Sequence, residues 1–190
     1  MNDDPHNRRR AAGPHVVLIG PMGCGKTTVG GIVAARLHRE LADNDAGLAS
    51  MTGMTARRIV EEFGTAELHR FERAVFEDAL ATPDPAVITA AASVLDVVDA
   101  AQLDGELVVF LDCSAPVGAR RASTSHHRPS IMSTTEAQGE RRRRAAELAD
   151  LVIDVDDLDA QQVADRIVLV DLTALTRHGG AGGGGRTTGP

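Results

Sequence analysis

GPMGCGKTT, residues 20–28, decides how the rest of the chain is read. It follows the apolar run HVVLI at 15–19 and opens a segment, 26–41, in which Val29, Ile32, Val33 and Leu37 recur at helical spacing. A strand that passes into a helix through GxxxxGK[ST], here Gly20, Gly25, Lys26 and Thr27, is the arrangement that wraps backbone N–H groups around a phosphate. Glycines let those N–H groups turn inward, and the helix N-terminus adds the positive end of its dipole. Lys26 then reaches the β- and γ-phosphates, and the Thr27 hydroxyl is offered to Mg²⁺. The stretch also holds the only lysine of a chain with nineteen arginines. A compact ammonium fits inside a loop of N–H groups, whereas a planar guanidinium fork does not. The candidate nucleotide-binding set is Gly20, Met22, Gly23, Cys24, Gly25, Lys26, Thr27 and Thr28. The bland alternative is a glycine-rich turn with an incidental lysine.

Outward from that loop, short apolar runs alternate with helix-period segments. Strands are expected at 15–19, 86–90, 106–112 and 149–155, with a shorter one at 41–43. Helices are expected at 26–41, 55–62, 66–81 and 159–170, the second opening on Thr55 as a cap and the third ending before TPDP. Such alternation builds a parallel sheet with helices on both faces, an α/β fold whose ligands bind at the carboxyl ends of the strands. The folded unit is expected over 15–176, between tails at 1–14 and 177–190 whose composition is that of disordered chain.

The length suits one domain with a full core. A net charge of −7 argues against a general nucleic-acid or membrane-surface binder. Cys24 and Cys113 make neither a metal-ligand spacing nor a disulfide framework, so a reducing compartment is expected. No run is long enough to span a bilayer, and the polar start has no apolar stretch behind it, which together read as a cytoplasmic protein.

Two further groups of residues have two readings each. DND at 43–45 places Asp43 and Asp45 where they could hold Mg²⁺ through water and take a proton from an acceptor hydroxyl. The same tripeptide is ordinary turn chemistry, and the residues alone leave both open. GARRASTSHHRPSI, 118–131, carries Arg120, Arg121 and Arg128 with little apolar content. It reads either as a mobile lid, about 118–135, that brings cations to a phosphate, or as a solvated loop. RRRR at 141–144 reads as the wet face of a helix.

With these stretches in view, residues 16–170 resemble the shikimate kinase family. GPMGCGKTTVG is similar to its nucleotide loop, and TGMTARRIVEEFGTAELHRFE to its acceptor-binding helices, TGxSIxEIFxxxGExxFRxxE. GARRASTSHHRPSI aligns without a gap with the lid region ending in RPLL, and RRRRAAELADLVIDV resembles RxPLYxEVADxVVDT. The resemblance implies a P-loop NTPase fold like that of nucleoside monophosphate kinases, with a five-stranded parallel sheet and a mobile lid. It implies ATP and Mg²⁺ as cofactors, a small-molecule acceptor, and a monomer. It also implies roles: Lys26, Asp45 and Arg128 in transfer, Asp43 with Thr27 near the metal, and Arg121 against the adenine. Asp45, His69, Ala91, Arg128 and Arg141 fall where the family binds its acceptor, with Arg141 on the acceptor carboxylate.

The acceptor half departs from the family. His69 stands where FRxxE places an arginine on the shikimate carboxylate, and Arg70 is turned about 100° away on the helix. The family's GGG is Ala90, Ala91 and Ala92 here, and PLY is replaced by Arg143, Arg144 and Ala145. The first reading is a shikimate-kinase-like enzyme that phosphorylates a hydroxyl of a small polar acceptor, shikimate or, in better keeping with these departures, a relative in which a carboxylate is missing or held differently. The others are authentic shikimate kinase with a variant carboxylate site, and an inactive nucleotide-binding protein. Retention of Asp45, Arg128 and Arg141 favours an enzyme.

Overall fold

The expected apolar runs pair into one five-stranded sheet in a computed structural model of the chain, which describes residues 13–122 and 135–179. The strands are β1 (Val16–Ile19), β2 (Leu41–Asp43), β3 (Val87–Thr89), β4 (Leu107–Asp112) and β5 (Leu151–Asp154). Their order is β2-β3-β1-β4-β5, and every pairing is parallel. β1 lies at the centre, with Val16 opposite both Val87 and Leu107, so the loop after it leaves the middle of the sheet. The short run at 41–43 is a strand and extends the sheet beyond β3.

Side chains alternate between faces along each strand, and the core divides accordingly. Val16, Leu18, Val109, Leu111 and Ile153 point to one face, covered by helix α1 (Lys26–Leu37) through Val29 and Val33, and by α7 (Ala160–Gly179) through Val163 and Ile167. Val17, Ile19, Ile88, Val108 and Phe110 point to the other. There they meet Phe76 of α4 (Thr65–Leu80), the 3₁₀ turn at Ala92–Asp96 and Ala145 of α6 (Thr135–Leu148). A third, smaller cluster of Leu48, Ala56, Ile59 and Leu68 joins α2 (Asn44–Thr52), α3 (Ala56–Phe63) and α4 beside the carboxyl edge of the sheet.

Two helices were not expected. α2 occupies the stretch read as a turn, because Asp43 caps it by accepting from the backbone N–H groups of Asp45 and Ala46. α5 (Ala115–Ala122) takes the first residues of the expected lid, and Pro116 in its first turn is the start signal that was available for it. The rest of the lid, 123–134 with Arg128, lies outside the described residues. α1 stops at Leu37 rather than 41, since His38 turns into the left-handed region at φ 53° and the chain must reach β2. α7 runs to Gly179, so residues 177–179 of the expected tail are helical; the remainder of that tail and residues 1–12 lie outside the described residues.

The turn after α1 is anchored to α7 by a buried ion pair. Asp171 is fully buried and accepts from both terminal nitrogens of Arg39, at 2.9 and 3.1 Å. Removing one partner of such a pair leaves an uncompensated buried charge. Asp171→Ala is therefore expected to destabilise the fold by about 3–5 kcal/mol, measured by urea unfolding.

Candidate active site

β1 ends in a loop that only glycines can build. Gly23 has φ 83°, and a Cβ there would run into the carbonyl oxygen of Gly118 in α5. At Gly20 a Cβ would stand 2.5 Å from the Leu111 carbonyl oxygen. Gly25, at φ 97°, starts α1 with no side-chain cap, so the first N–H groups of the helix keep their donors for a ligand. Lys26 folds back over the loop: its ammonium donates to the carbonyl oxygens of Gly20 at 2.8 Å and Pro21 at 3.0 Å, with the Cys24 sulfur at 3.8 Å.

Asp43 is the hub beside that loop. One carboxylate oxygen caps α2, while the other accepts from the Thr27 hydroxyl at 2.8 Å and the Thr89 hydroxyl at 2.9 Å. Asp43 is thus a helix cap, the turn chemistry one reading of DND expected, and also a carboxylate held against the P-loop threonine. Asp45 lies in the first turn of α2 on its exposed side.

Two cavities flank the loop. The smaller, about 230 Å³, is lined by Cys24, Gly25, Thr28 and Arg121, facing Leu158 and Asp159. Arg121 donates to the backbone carbonyl of Val155 at 3.1 Å, which holds its guanidinium at the rim. The larger, about 540 Å³, runs from Gly20 and Met22 past α4 and the 3₁₀ turn to α6. His69 and Arg141 both line it. Ala91 is buried behind its wall, and Ala92 and Ser93 form the lining in its place. Asp45 is not among its lining residues.

The polar groups of the larger cavity are mostly committed to one another. Arg141 forms a two-pronged ion pair with Asp96, and Arg142 one with a single oxygen of Asp112 at 2.6 and 3.1 Å. Those carboxylates raise both guanidinium pKa values above their ordinary range. Glu72, buried on α4, accepts from the Ser93 hydroxyl. Arg70 turns away, pairing with Glu67 and lying 4.9 Å from the Phe71 ring centre. His69 is half-buried and has no hydrogen-bond partner among the described residues. Burial, with the neighbouring Cys24 and Asp156, pushes the Cys113 thiol up to about 11, so it is protonated at neutral pH.

Glu72, Ser93, Asp96 and Asp112 were not singled out from the sequence. Glu72 had a signal, being the final glutamate of the LHRFE stretch, whereas the other three lie at a strand end and in a 3₁₀ turn with no motif around them.

This geometry has known counterparts. A family model described as shikimate kinase matches residues 22–171. A shikimate kinase of Streptomyces avermitilis is 30% identical over 160 residues, covering 82% of this chain and 94% of that protein. One from Rhodococcus erythropolis is 36% identical over 116 residues, 61% of this chain and 69% of the relative. Among solved structures, shikimate kinase from Acinetobacter baumannii in complex with shikimate matches with a TM-score of 0.69 at 24% identity, covering 86% of this chain and 96% of that one. A sugar kinase from Janibacter sp. shares the fold with a TM-score of 0.53 at 23% identity, covering 86% of this chain and 98% of the other.

Proposed function

The chain belongs to the shikimate kinase family and is an ATP-dependent small-molecule kinase, and from that premise we propose that it phosphorylates a hydroxyl of a small polar acceptor other than shikimate. The observation that carries the reading is the alignment of one phosphate loop with two cavities: Gly20 and Met22 border the larger, Cys24, Gly25 and Thr28 the smaller. A nucleotide laid along the loop reaches from the smaller cavity, where Arg121 faces its base, to the mouth of the larger, where the acceptor is held.

The residues divide the work of an in-line transfer. The loop N–H groups and Lys26 bind phosphate oxygens and neutralise charge that grows on the moving group. For this the Lys26 ammonium exchanges the carbonyl oxygens of Gly20 and Pro21 for phosphate oxygens. Asp45 positions the acceptor hydroxyl and takes its proton, and Arg128 joins the phosphate side from the lid. No covalent enzyme intermediate is required.

Mg²⁺ fits the donors present. The Thr27 hydroxyl and Asp43 carboxylate, 2.8 Å apart, are hard oxygen ligands of the kind Mg²⁺ takes alongside substrate phosphates and water. When bound, the ion supplies positive charge to the phosphate oxygens. The proposal includes a monomer working in the cytoplasm; among the described residues no helix is long and apolar enough to cross a membrane.

His69 and the alanines at 90–92 support an acceptor other than shikimate, while the retained Arg141 is what favours shikimate itself as the second reading. No observation favours an inactive nucleotide binder. Coupled ADP release over a panel of shikimate, related cyclitols and sugar acids tests the proposal. A rate that depends on acceptor and exceeds background hydrolysis by at least tenfold is expected. An ATPase rate indifferent to every acceptor would contradict it.

A further inference from the structure

The Asp43 carboxylate takes donors from three different elements. Its Oδ1 accepts from the backbone N–H groups of Asp45 and Ala46 in α2, at 3.0 and 3.2 Å. Its Oδ2 accepts from the hydroxyl of Thr27 in α1, at 2.8 Å, and from that of Thr89 in β3, at 2.9 Å. Thr27 belongs to the phosphate loop, and Thr89 does not. Thr89 ends β3 opposite Asp43 in the β2–β3 pairing, is 3% exposed, and lines neither of the cavities that flank the loop.

Several contacts fix its side chain. A carboxylate only accepts, so the Thr89 proton is committed to Asp43. The Thr89 oxygen in turn accepts from the backbone N–H of Asn44 at 3.3 Å. Its methyl group lies where α1 has no side chain: a Cβ at Gly30 would stand 3.0 Å from it. Strand pairing, the methyl contact and the two hydrogen bonds therefore select one rotamer.

The consequence falls on Thr27. A hydroxyl carries one proton and two acceptor lone pairs. With its proton given to Asp43 Oδ2, Thr27 turns its lone pairs away from that carboxylate and leaves them to a cation. The cap of α2 sets Oδ1, whereas among the described residues Thr89 is the donor that sets Oδ2 beside Thr27 itself. Groups that orient a metal's ligands in this way are worth about 10–100-fold in metal affinity.

We propose that Thr89 is a positioning residue for Mg²⁺ binding: its hydroxyl keeps Asp43 Oδ2 on the Thr27 hydroxyl, so that Thr27 meets the ion with its lone pairs and not its proton. This rests on the kinase reading above. Thr89 contacts neither nucleotide nor acceptor; it acts through Asp43.

Titration calorimetry of the full chain with a non-hydrolysable ATP analogue, in Mg²⁺ and in EDTA, reads the site without turnover. Wild type is expected to bind the analogue about tenfold tighter or more in Mg²⁺. Thr89→Val keeps the branched shape and removes the hydroxyl, so it should lose about fivefold or more of that gain, while its affinity in EDTA changes by less than about twofold. Thr89→Ser keeps the hydroxyl and should retain the gain. If the valine variant is unfolded by circular dichroism, Thr89→Ala, which sets no methyl against the Asn44 N–H, replaces it with the same expectation. A folded variant that lacks the hydroxyl and keeps the whole Mg²⁺-dependent gain overturns the inference. An equal loss in Mg²⁺ and in EDTA does so too, because Thr89 would then only pack, as does a serine variant as impaired as the valine one. A wild type that binds the analogue equally well in both buffers overturns it while leaving the kinase reading in place. Failure of wild type to bind the analogue in either buffer speaks against the kinase reading itself, and this inference falls with it.

Discussion

Lys26→Arg is expected to lose ATP turnover almost as completely as Lys26→Ala, by about 10²–10³-fold in kcat, the scale of removing one preorganised charge-stabilising donor. The ground lies in the loop's dimensions. The Lys26 ammonium sits within 2.8 and 3.0 Å of two loop carbonyls, inside a turn where a single added Cβ at Gly23 would strike α5. A planar guanidinium, wider than an ammonium, cannot occupy that space and still swing to the same phosphate oxygens. The fold should survive, because Lys26 is half-buried at the start of α1 and is not part of the core, to which the helix contributes Val29 and Val33. Steady-state ADP release together with thermal unfolding separates the two effects. A folded Lys26→Arg protein that keeps most of its wild-type turnover would mean that charge suffices and size does not matter.

Asp45→Asn is expected to depress kcat by about 10²–10⁴-fold, the range of a positioned general base, while the KM for ATP changes by less than about threefold. Position supports the separation. Asp45 is in the first turn of α2, on its exposed side, while Asp43 accepts from the hydroxyl of Thr27 in the nucleotide loop. Its loss costs the helix the interaction of a carboxylate with the N-terminal dipole, about 0.3–1 kcal/mol. Asp43→Asn is the contrasting variant: it disturbs the cap of α2 and the bonds from Thr27 and Thr89 together, so nucleotide affinity and stability should fall with it. Equal effects of the two substitutions on kcat and on the KM for ATP would contradict the division of roles.

The sheet was legible because parallel strands buried on both faces read as uninterrupted apolar runs, as HVVLI and ELVVFLD do. The phosphate loop was legible because its constraints are local: glycine at positions of positive φ, one compact cation, and a hydroxyl beside it. α2 was not, since NDAGLASMT has neither a strong apolar period nor a motif, and its start depends on an aspartate that serves the loop as well. The chemistry of the larger cavity was legible only in part. His69 and Arg141 stood out through resemblance to a pattern, but a pattern names residues and not their partners. That Arg141 is held by Asp96, forty-five residues away, and Glu72 by Ser93, twenty-one residues away, follows from packing of α4 and α6 against one 3₁₀ turn. Arg70 shows the converse: adjacent in sequence to His69, it is excluded from the cavity by helix geometry alone.

The central claim is that this chain moves a phosphoryl group from ATP to a hydroxyl on a small molecule. Phosphorus NMR of one reaction mixture tests it most directly, by following the γ-phosphate of ATP in the presence of Mg²⁺ and the panel of shikimate, cyclitols and sugar acids. The account predicts a phosphomonoester resonance growing in step with ADP, and its absence with Lys26→Arg. Inorganic phosphate alone, formed at the same rate with and without any acceptor in the panel, would contradict it.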